Sequence, residues 1–165
     1  MLIVEGMDGT GKSTIVDSLS KNGFERYHFE YDVRNQDLMT KYLSVLSRTE
    51  GQKIALDRSF ISELVYGPVL RGTSRLNTEQ LKYLLQAYNV RGFQLVYLNA
   101  SKETLLERRK HDQQDYAVIT SHYDQLYEQY NSIIGVCSEH IPTHRYDTDQ
   151  QDVFEVQDSI GKKIR

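Results

Sequence analysis

The chain has 165 residues, the length of one domain, and 39% of them are hydrophobic, enough to bury a core without disulfides or structural metals. Lys and Arg number 20 against 23 Asp and Glu, and this net charge of -3 disfavours nonspecific binding to nucleic acid. The mean hydropathy of -0.58 and a start at Met1 without a basic flank argue against a membrane span or a secretory signal. We therefore expect one soluble, cytoplasmic domain over residues 1–165, in which the lone Cys137 forms no internal disulfide.

Short apolar runs alternate with segments of helical spacing, which is typical of an α/β fold with a parallel sheet of about five strands flanked by helices. For the first half the pattern predicts a strand over Leu2-Ile3-Val4, a helix ending at Gly23, a strand over Phe24 to Tyr31, a helix from Leu38 through Leu46 to Gly51, a strand over residues 54–57, and a short helix from Ser59 to Tyr66 closed by Gly67-Pro68. An irregular stretch over Val69 to Leu76 is expected to follow.

The second half continues the alternation. Asn77 with Gln80 three residues later predicts a capping box at the start of a helix. The further predicted elements are the end of that helix at Gly92, a strand over Phe93 to Leu98, a helix capped by Ser101, a polar break at His111 to Asp115, a long helix through Tyr123 to Ile134, a strand near His144 to Tyr146, and a C-terminal helix.

Residues 6–13 fit the pattern G-x-x-x-x-G-K-[ST], between a predicted strand and a predicted helix. Such a loop exposes backbone N–H groups that bind phosphate oxygens at a helix N-terminus. Lys12 is expected to reach the β- and γ-phosphates, and the Ser13 hydroxyl to bind Mg²⁺. The sequence thus predicts ATP and Mg²⁺ as cofactors, with ATP bound by Gly6, Gly9, Thr10, Gly11, Lys12, Ser13 and Thr14.

Asp57 ends the apolar run that starts at Ile54. A carboxylate at the end of a buried strand is placed to hold Mg²⁺ through water in a protein with a phosphate loop. An ordinary helix-capping role is the alternative, and the loop upstream favours the metal.

Small-molecule kinases are the class that remains after two eliminations. A GTPase needs an Asn/Thr-Lys-x-Asp motif after a late strand, and the segment Leu98 to Glu103 does not supply it. A motor ATPase needs more chain for its sensor and arginine-finger regions than this sequence contains.

The segment Glu5 to Thr14 resembles the phosphate loop of thymidylate kinases, and Asp57 to Ser62 with Tyr66 resembles the Asp-Arg segment of that family. The strand from Phe93 and the helix from Ser101 to Arg108 are similar to the strand and lid helix of the same enzymes. The resemblance implies a single-domain P-loop fold that transfers the γ-phosphoryl group of ATP to a deoxynucleoside 5′-monophosphate such as dTMP. It also implies a homodimer, as relatives commonly form.

The resemblance further implies roles for individual residues. Gly9 stands where some relatives have a loop arginine, and such relatives take the catalytic cation from the lid, here about residues 108–116. The implied catalytic residues are Lys12, Arg58, Arg108 and Arg109. The expected acceptor-binding residues, including pocket candidates chosen for their position near the motif, are Asp8, Arg58, Phe60, Tyr66 and Arg71.

Two departures from the thymidylate kinase pattern leave the identity of the acceptor open. The Arg-Glu-Pro-Gly segment of thymidylate kinases is absent after the second strand, where Phe29 to Asp32 stands, and Ser59 replaces the usual Tyr or His. Asp-Arg-Ser is also close to the Glu-Arg-Ser of deoxynucleoside kinases, whose acidic residue after the second strand serves as a base for a sugar hydroxyl. With Glu30 or Asp32 in that role, the acceptor is a hydroxyl of a nucleoside or of a modified base in DNA. A non-catalytic nucleotide-binding regulator is the third alternative.

Overall fold

The computed structural model describes residues 1–29, 37–48 and 51–163. Within these ranges the strands are β1 (Leu2–Glu5), β2 (Glu25–His28), β3 (Ile54–Asp57), β4 (Gln94–Asn99) and β5 (Thr143–Asp147). The helices are α1 (Lys12–Lys21), α2 (Leu38–Leu46), α3 (Phe60–Arg71), α4 (Thr78–Val90), α5 (Lys102–Arg109), α6 (Gln113–Ser138) and α7 (Val153–Lys163).

The strands form one sheet in the order β2-β3-β1-β4-β5, and every pairing is parallel. Val4 pairs with Asp57 on one side and with Val96 on the other. The carboxyl ends of the central strands therefore meet at one edge, where open α/β sheets bind their ligands. The predicted fold class, a five-stranded parallel sheet flanked by helices, is confirmed.

Alternate residues of the strands face two different helical layers. Leu2 and Val4 pack with α1 and α7, and Ile3 packs with α2, α3, α4 and α6. None of the helices in the described part of the chain has the length and apolar character needed to cross a membrane.

Helix α3 is longer than the sequence pattern predicted, because it continues through Gly67 and Pro68 to Arg71. Proline removes the N–H that would bond to the carbonyl of Leu64, four residues earlier. Gln129 of α6 donates its side-chain N–H to that carbonyl at 3.0 Å, so the helix continues without an orphaned acceptor. Arg71 consequently lies at the end of a helix, not in an irregular stretch.

Helix α6 also begins earlier than predicted. Asp112 caps it by accepting a hydrogen bond from the N–H of Asp115, so the expected polar break shrinks to residues 110–112. The predicted lid region 108–116 therefore comprises the end of α5, this short connection and the first turn of α6. Both predicted caps are confirmed: Asn77 and Gln80 form a reciprocal capping box, and Ser101 caps α5.

Candidate active site

The phosphate loop lies between β1 and α1. At two of its glycines, Gly6 and Gly9, another part of the chain approaches the backbone so closely that a side chain would collide with it or crowd it. A β-carbon on Gly6 would lie 2.2 Å from the carbonyl oxygen of Leu98, so only glycine fits against β4. Gly9 has a φ of +90°, and a β-carbon there would lie 3.2 Å from Leu105 and 3.3 Å from Arg109. Helix α5 thus packs directly against the loop, in the space that a side chain at position 9 would need.

Lys12 lies almost fully buried at the first turn of α1, with 6% of its surface exposed. Its Nζ donates to the carbonyl oxygen of Met7 at 2.8 Å and lies 3.8 Å from a carboxylate oxygen of Asp8. Burial, together with the positive charge of Arg58, lowers the pKa of Lys12 to about 7. A bound triphosphate would favour the charged form, because it supplies the negative charge that the buried ammonium lacks.

A cavity of about 890 Å³ opens in front of the loop. Its walls include residues 8–15 and 148–153 together with Arg26, His28, Asp57, Arg58, Arg108 and Arg109. The predicted ATP-binding residues line this cavity, except for Gly6, which lies beneath the loop against β4. We call this space the donor cavity.

Ser13 and Asp57 converge at one side of the donor cavity. The Ser13 hydroxyl donates to Oδ2 of Asp57 at 3.5 Å, and Asp57 is buried. Among the described residues no group of three or more His, Cys, Asp or Glu side chains is placed to hold a metal. A hydroxyl and one carboxylate nevertheless fit Mg²⁺, which prefers hard oxygen ligands and completes its shell with water and phosphate.

Two residues of β2 contact Asp57, one at its carboxylate and one at its backbone, and no sequence motif pointed to either of them. Arg26 donates to Oδ2 of Asp57, and Nδ1 of His28 lies 3.0 Å from the backbone carbonyl oxygen of Asp57. Their spacing of two residues in a strand was the available signal, because such residues share a face.

Glu5 is a fully buried carboxylate at the end of β1, and sequence reasoning assigned it no function. Its Oε1 accepts from the backbone N–H of Ser59 at 2.7 Å and from the Ser59 hydroxyl at 2.8 Å. Its Oε2 accepts from the hydroxyls of Ser62 at 2.8 Å and Tyr130 at 3.3 Å. Glu5 therefore fixes the start of α3, and with it Arg58.

Arg58 has a φ of +70°, the one positive φ of a non-glycine residue in the described chain. Its guanidinium donates to the Asp8 carboxylate and, at 3.2 Å, to the hydroxyl of Ser62. It also lies 5.0 Å from the ring centre of Tyr66, whose hydroxyl donates to Asp8 at 3.1 Å. A strained backbone that holds a partly buried cation in place is typical of functional sites.

The Asp8 carboxylate is ionised in this arrangement. Burial acts to raise its pKa, but the charges of Arg58 and Lys12 and the hydrogen bonds from Arg58 and Tyr66 outweigh it and lower the pKa to about 2. Asp8 and Arg58 thus form a charged pair. Tyr66 and Lys12 hold the carboxylate, and Ser62 holds the guanidinium.

A second cavity of about 400 Å³ also borders this pair, and we call it the acceptor cavity after the residues in its wall that the sequence predicted to bind an acceptor. Asp8 and Arg58 line both cavities, which therefore meet at the pair. Tyr66 and Arg71, two of the residues predicted to bind the acceptor, also line this cavity. Phe60 does not: it is 0% exposed and packs edge-on against Tyr42 and Tyr88 in the core, so its predicted place in the acceptor pocket is wrong.

A buried carboxylate organises the far wall of the acceptor cavity. Glu63 accepts from the guanidinium of Arg71, and from both the backbone N–H of Arg75 at 2.9 Å and its Nη2 at 3.1 Å. Burial opposes ionisation, yet the hydrogen bonds from Arg75 and the charge of Arg71 lower the pKa of Glu63. The two arginines therefore present a positively charged wall that an acidic ligand would meet.

The two arginines at the end of α5, which the sequence predicted to lie in a lid, differ in their contacts. Arg108 donates to the carbonyl oxygen of Gly9 at 3.0 Å and to that of Thr148 at 2.9 Å, and so ties α5 to the phosphate loop. Arg109 lies 3.5 Å from Asp115 and 4.0 Å from Asp112, with a third of its side chain exposed. Glu30 and Asp32, the residues considered as a general base, lie outside the described residues.

Comparisons of sequence find no match: no family profile and no curated protein matches the chain. Comparisons of structure find many. YorR protein from Bacillus subtilis, solved in complex with phosphorylated GDP, is 22% identical over 99% of this chain and 94% of its own, with a TM-score of 0.82.

Two further similar structures are a nucleoside kinase and a nucleotide kinase. Deoxyadenosine kinase from M. mycoides with bound dCTP is 21% identical over 99% of this chain and 98% of its own, with a TM-score of 0.63. Thymidylate kinase from Candida albicans is 14% identical over 99% of this chain and 89% of its own, with a TM-score of 0.62. The chain has the fold of the P-loop kinases. At these identities the likeness establishes the fold and not the substrate.

Proposed function

We propose that the chain transfers the γ-phosphoryl group of Mg-ATP to the 5′-monophosphate of a deoxynucleoside, such as dTMP. The observation that supports this most directly is the shared position of Asp8 and Arg58 on both cavities. A phosphoryl transferase needs two anionic ligands brought end to end, and a fixed cation at the meeting point of two cavities suits that task.

The donor half uses residues of the loop. The loop N–H groups and Lys12 bind the phosphates of ATP, and Ser13 and Asp57 hold Mg²⁺, Asp57 through water. The metal, when bound, neutralises charge on the transferred group. Lys12 is already in place to meet part of the charge that develops on the equatorial oxygens, and such electrostatic stabilisation is the main contribution an enzyme makes to this reaction.

The acceptor half uses Arg58. Its guanidinium is held by Asp8 and Ser62, so the N–H groups that face the cavity are fixed in direction. A monophosphate bound to them has lost rotational freedom before transfer begins, which lowers the entropic part of the barrier. Tyr66 and Arg71 complete the acceptor's surroundings.

Arg109 supplies the mobile cation in this proposal. Its contacts with Asp112 and Asp115 are partly exposed ion pairs, which contribute about 0–1 kcal/mol each and so exchange readily. Moving from those carboxylates to the γ-phosphate would bring a positive charge to the transition state, an effect worth about 10³-fold or more in related reactions.

A hydroxyl acceptor is the second candidate. Asp115 lines the acceptor cavity, and burial together with the charges of Asp8 and Asp112 raises its pKa, as suits a general base. In that case a nucleoside would be phosphorylated at its 5′-hydroxyl, with Asp115, Glu30 or Asp32 removing the proton.

One experiment separates the candidates. Purified protein is incubated with Mg²⁺ and γ-labelled ATP, and the five common deoxynucleoside monophosphates are tested beside the matching nucleosides. We expect label on at least one monophosphate and none with Lys12→Ala. Label on nucleosides alone would favour the hydroxyl acceptor. Asp115→Asn, Glu30→Gln and Asp32→Asn, made one at a time, should then show which carboxylate is the base, because that variant loses transfer while ATP binding persists. Tight ATP binding with no labelled acceptor would contradict both and favour a non-catalytic regulator.

A further inference from the structure

Arg26 bridges two carboxylates at the edge of the donor cavity. One arm of its guanidinium donates to Oδ2 of Asp57, and the other lies 2.7 Å from Oδ1 of Asp17 on α1. The Ser13 hydroxyl points at the same Oδ2 from 3.5 Å. Arg26 therefore holds the carboxylate oxygen that faces the proposed metal ligand Ser13.

The three side chains differ sharply in exposure. The Asp57 side chain is 4% exposed, whereas Arg26 is 39% and Asp17 is 59% exposed. A buried carboxylate is costly without a counter-charge, and Arg26 supplies one. Asp17 by contrast is a solvated carboxylate that can retain the guanidinium without any cost of burial.

Strand register explains why β2 carries this residue. Arg26 is opposite Ala55 and His28 is opposite Asp57, so both project from the edge strand on the face that α1 covers. The ion-pair partners of Asp57 in the described ranges are these two residues, and His28 is the more distant, at 3.9 Å.

We propose that Arg26 is a positioning residue that takes the place of Mg²⁺ at Asp57 while the metal is absent and remains on Asp17 when the metal enters. The inference rests on the donor half of the proposed function and not on the acceptor. A guanidinium and a hydrated Mg²⁺ repel each other at one carboxylate oxygen, so entry of the metal requires Arg26 to release Asp57.

The coupling between metal and nucleotide then depends on Arg26. Without metal, Arg26 neutralises Asp57, so a triphosphate is not repelled by a bare carboxylate. When the metal binds, breaking the Arg26–Asp57 ion pair costs free energy, and this cost offsets part of the ATP affinity that the metal adds. The ratio of the ATP dissociation constant in EDTA to that in Mg²⁺ is therefore smaller with Arg26 than without it.

The test measures this ratio by calorimetric titration with a non-hydrolysable ATP analogue, in EDTA and in excess Mg²⁺. We expect Arg26→Gln to raise the ratio about five- to tenfold, chiefly by weakening metal-free binding. Asp17→Asn should lower it about two- to threefold, since the displaced guanidinium loses its second partner. Arg91→Gln removes the same charge from an exposed residue at the end of α4 that does not line the donor cavity, and it should leave the ratio unchanged.

Thermal unfolding without ligand checks that each variant is folded. Arg26→Lys keeps the charge but not the two-armed contact, so its ratio of dissociation constants is expected to fall between those of wild type and Arg26→Gln. This variant replaces Arg26→Gln in the test if Arg26→Gln does not fold. An unchanged or lower ratio in the Arg26 variants would overturn the inference while leaving the kinase proposal intact. Failure of the wild type to bind the analogue in either condition would overturn both.

Discussion

Asp8 and Arg58 are 50 residues apart in the chain and are joined by a hydrogen-bonded ion pair. Asp8 follows β1 and Arg58 follows β3, and these strands are neighbours in which Val4 pairs with Asp57. The backbone N–H of Arg58 donates to the carbonyl oxygen of Val4 at 3.1 Å. Sheet register therefore sets where the donor and acceptor cavities meet.

The stability of the protein should depend on Asp8 in acid. Because the pKa of Asp8 is lowered in the folded state to about 2, its contribution is fully present above its ordinary value of 3.8 and is lost as the pH falls toward 2. That contribution is on the order of 2 kcal/mol. The free energy of unfolding of wild type and Asp8→Asn, measured by urea titration, should differ at pH 7 and converge between about pH 4 and pH 2. A difference independent of pH would contradict the ion-pair account.

Two substitutions of Arg58 should separate the cost of its strained backbone from the role of its guanidinium in phosphoryl transfer. With φ at +70°, a β-carbon at this position costs about 1–2 kcal/mol, a penalty that glycine avoids. Arg58→Gly should therefore be more stable than Arg58→Ala by about 1 kcal/mol, although both lose the guanidinium. Both should lose transfer alike, with ATP binding retained. Equal stability of the two variants would mean that the residue is not strained.

Gly9 and Gly11 offer a matched pair for the packing of α5 on the loop. Their φ values are +90° and +92°, but a β-carbon would contact Leu105 and Arg109 only at Gly9 and nothing within 4 Å at Gly11. Gly9→Ala should be less stable than Gly11→Ala by about 1 kcal/mol, because α5 has to shift. Thermal unfolding of the two variants measures the difference, and the reverse order would be inconsistent with the packing described.

Glu5→Gln tests the buried carboxylate that holds the start of α3. The backbone N–H of Ser59 can only donate, so a glutamine would keep its oxygen there and turn its NH₂ toward the hydroxyls of Ser62 and Tyr130, which donate to Glu5 and would have to accept instead. We expect a loss of about 2–3 kcal/mol in the free energy of unfolding. The exposed Glu79→Gln is the control and should change it by less than about 1 kcal/mol. A small effect at Glu5 would show that its contacts are replaceable.

Much of this arrangement could be predicted from local sequence. The phosphate loop combines a spacing pattern with its position after a buried strand, and the caps at Asn77 and Ser101 depend on neighbours three residues away. These signals involve residues that are close together in the sequence, so they can be recognised without the fold. The order of strands and helices along the chain followed from hydrophobic periodicity for the same reason, whereas the order of the strands within the sheet was not predicted.

What escaped prediction depends on contacts between distant segments. Pro68 looks like a helix end until Gln129, 65 residues from Leu64, satisfies the freed carbonyl. Phe60 is next to the Asp-Arg motif in sequence, yet the first turn of α3 directs it into the core. Arg26 belongs to a strand of mostly exposed residues, and only sheet pairing shows that it reaches Asp57.

The most direct test of the account is a crystal structure with Mg-ADP, an aluminium fluoride mimic of the transferred group and the preferred acceptor. We expect the phosphates of ADP on the N–H groups of residues 6–13, the acceptor phosphate on the guanidinium of Arg58, and the mimic between them beside Asp8. An acceptor bound away from the cavity that Arg58, Tyr66 and Arg71 line would contradict it.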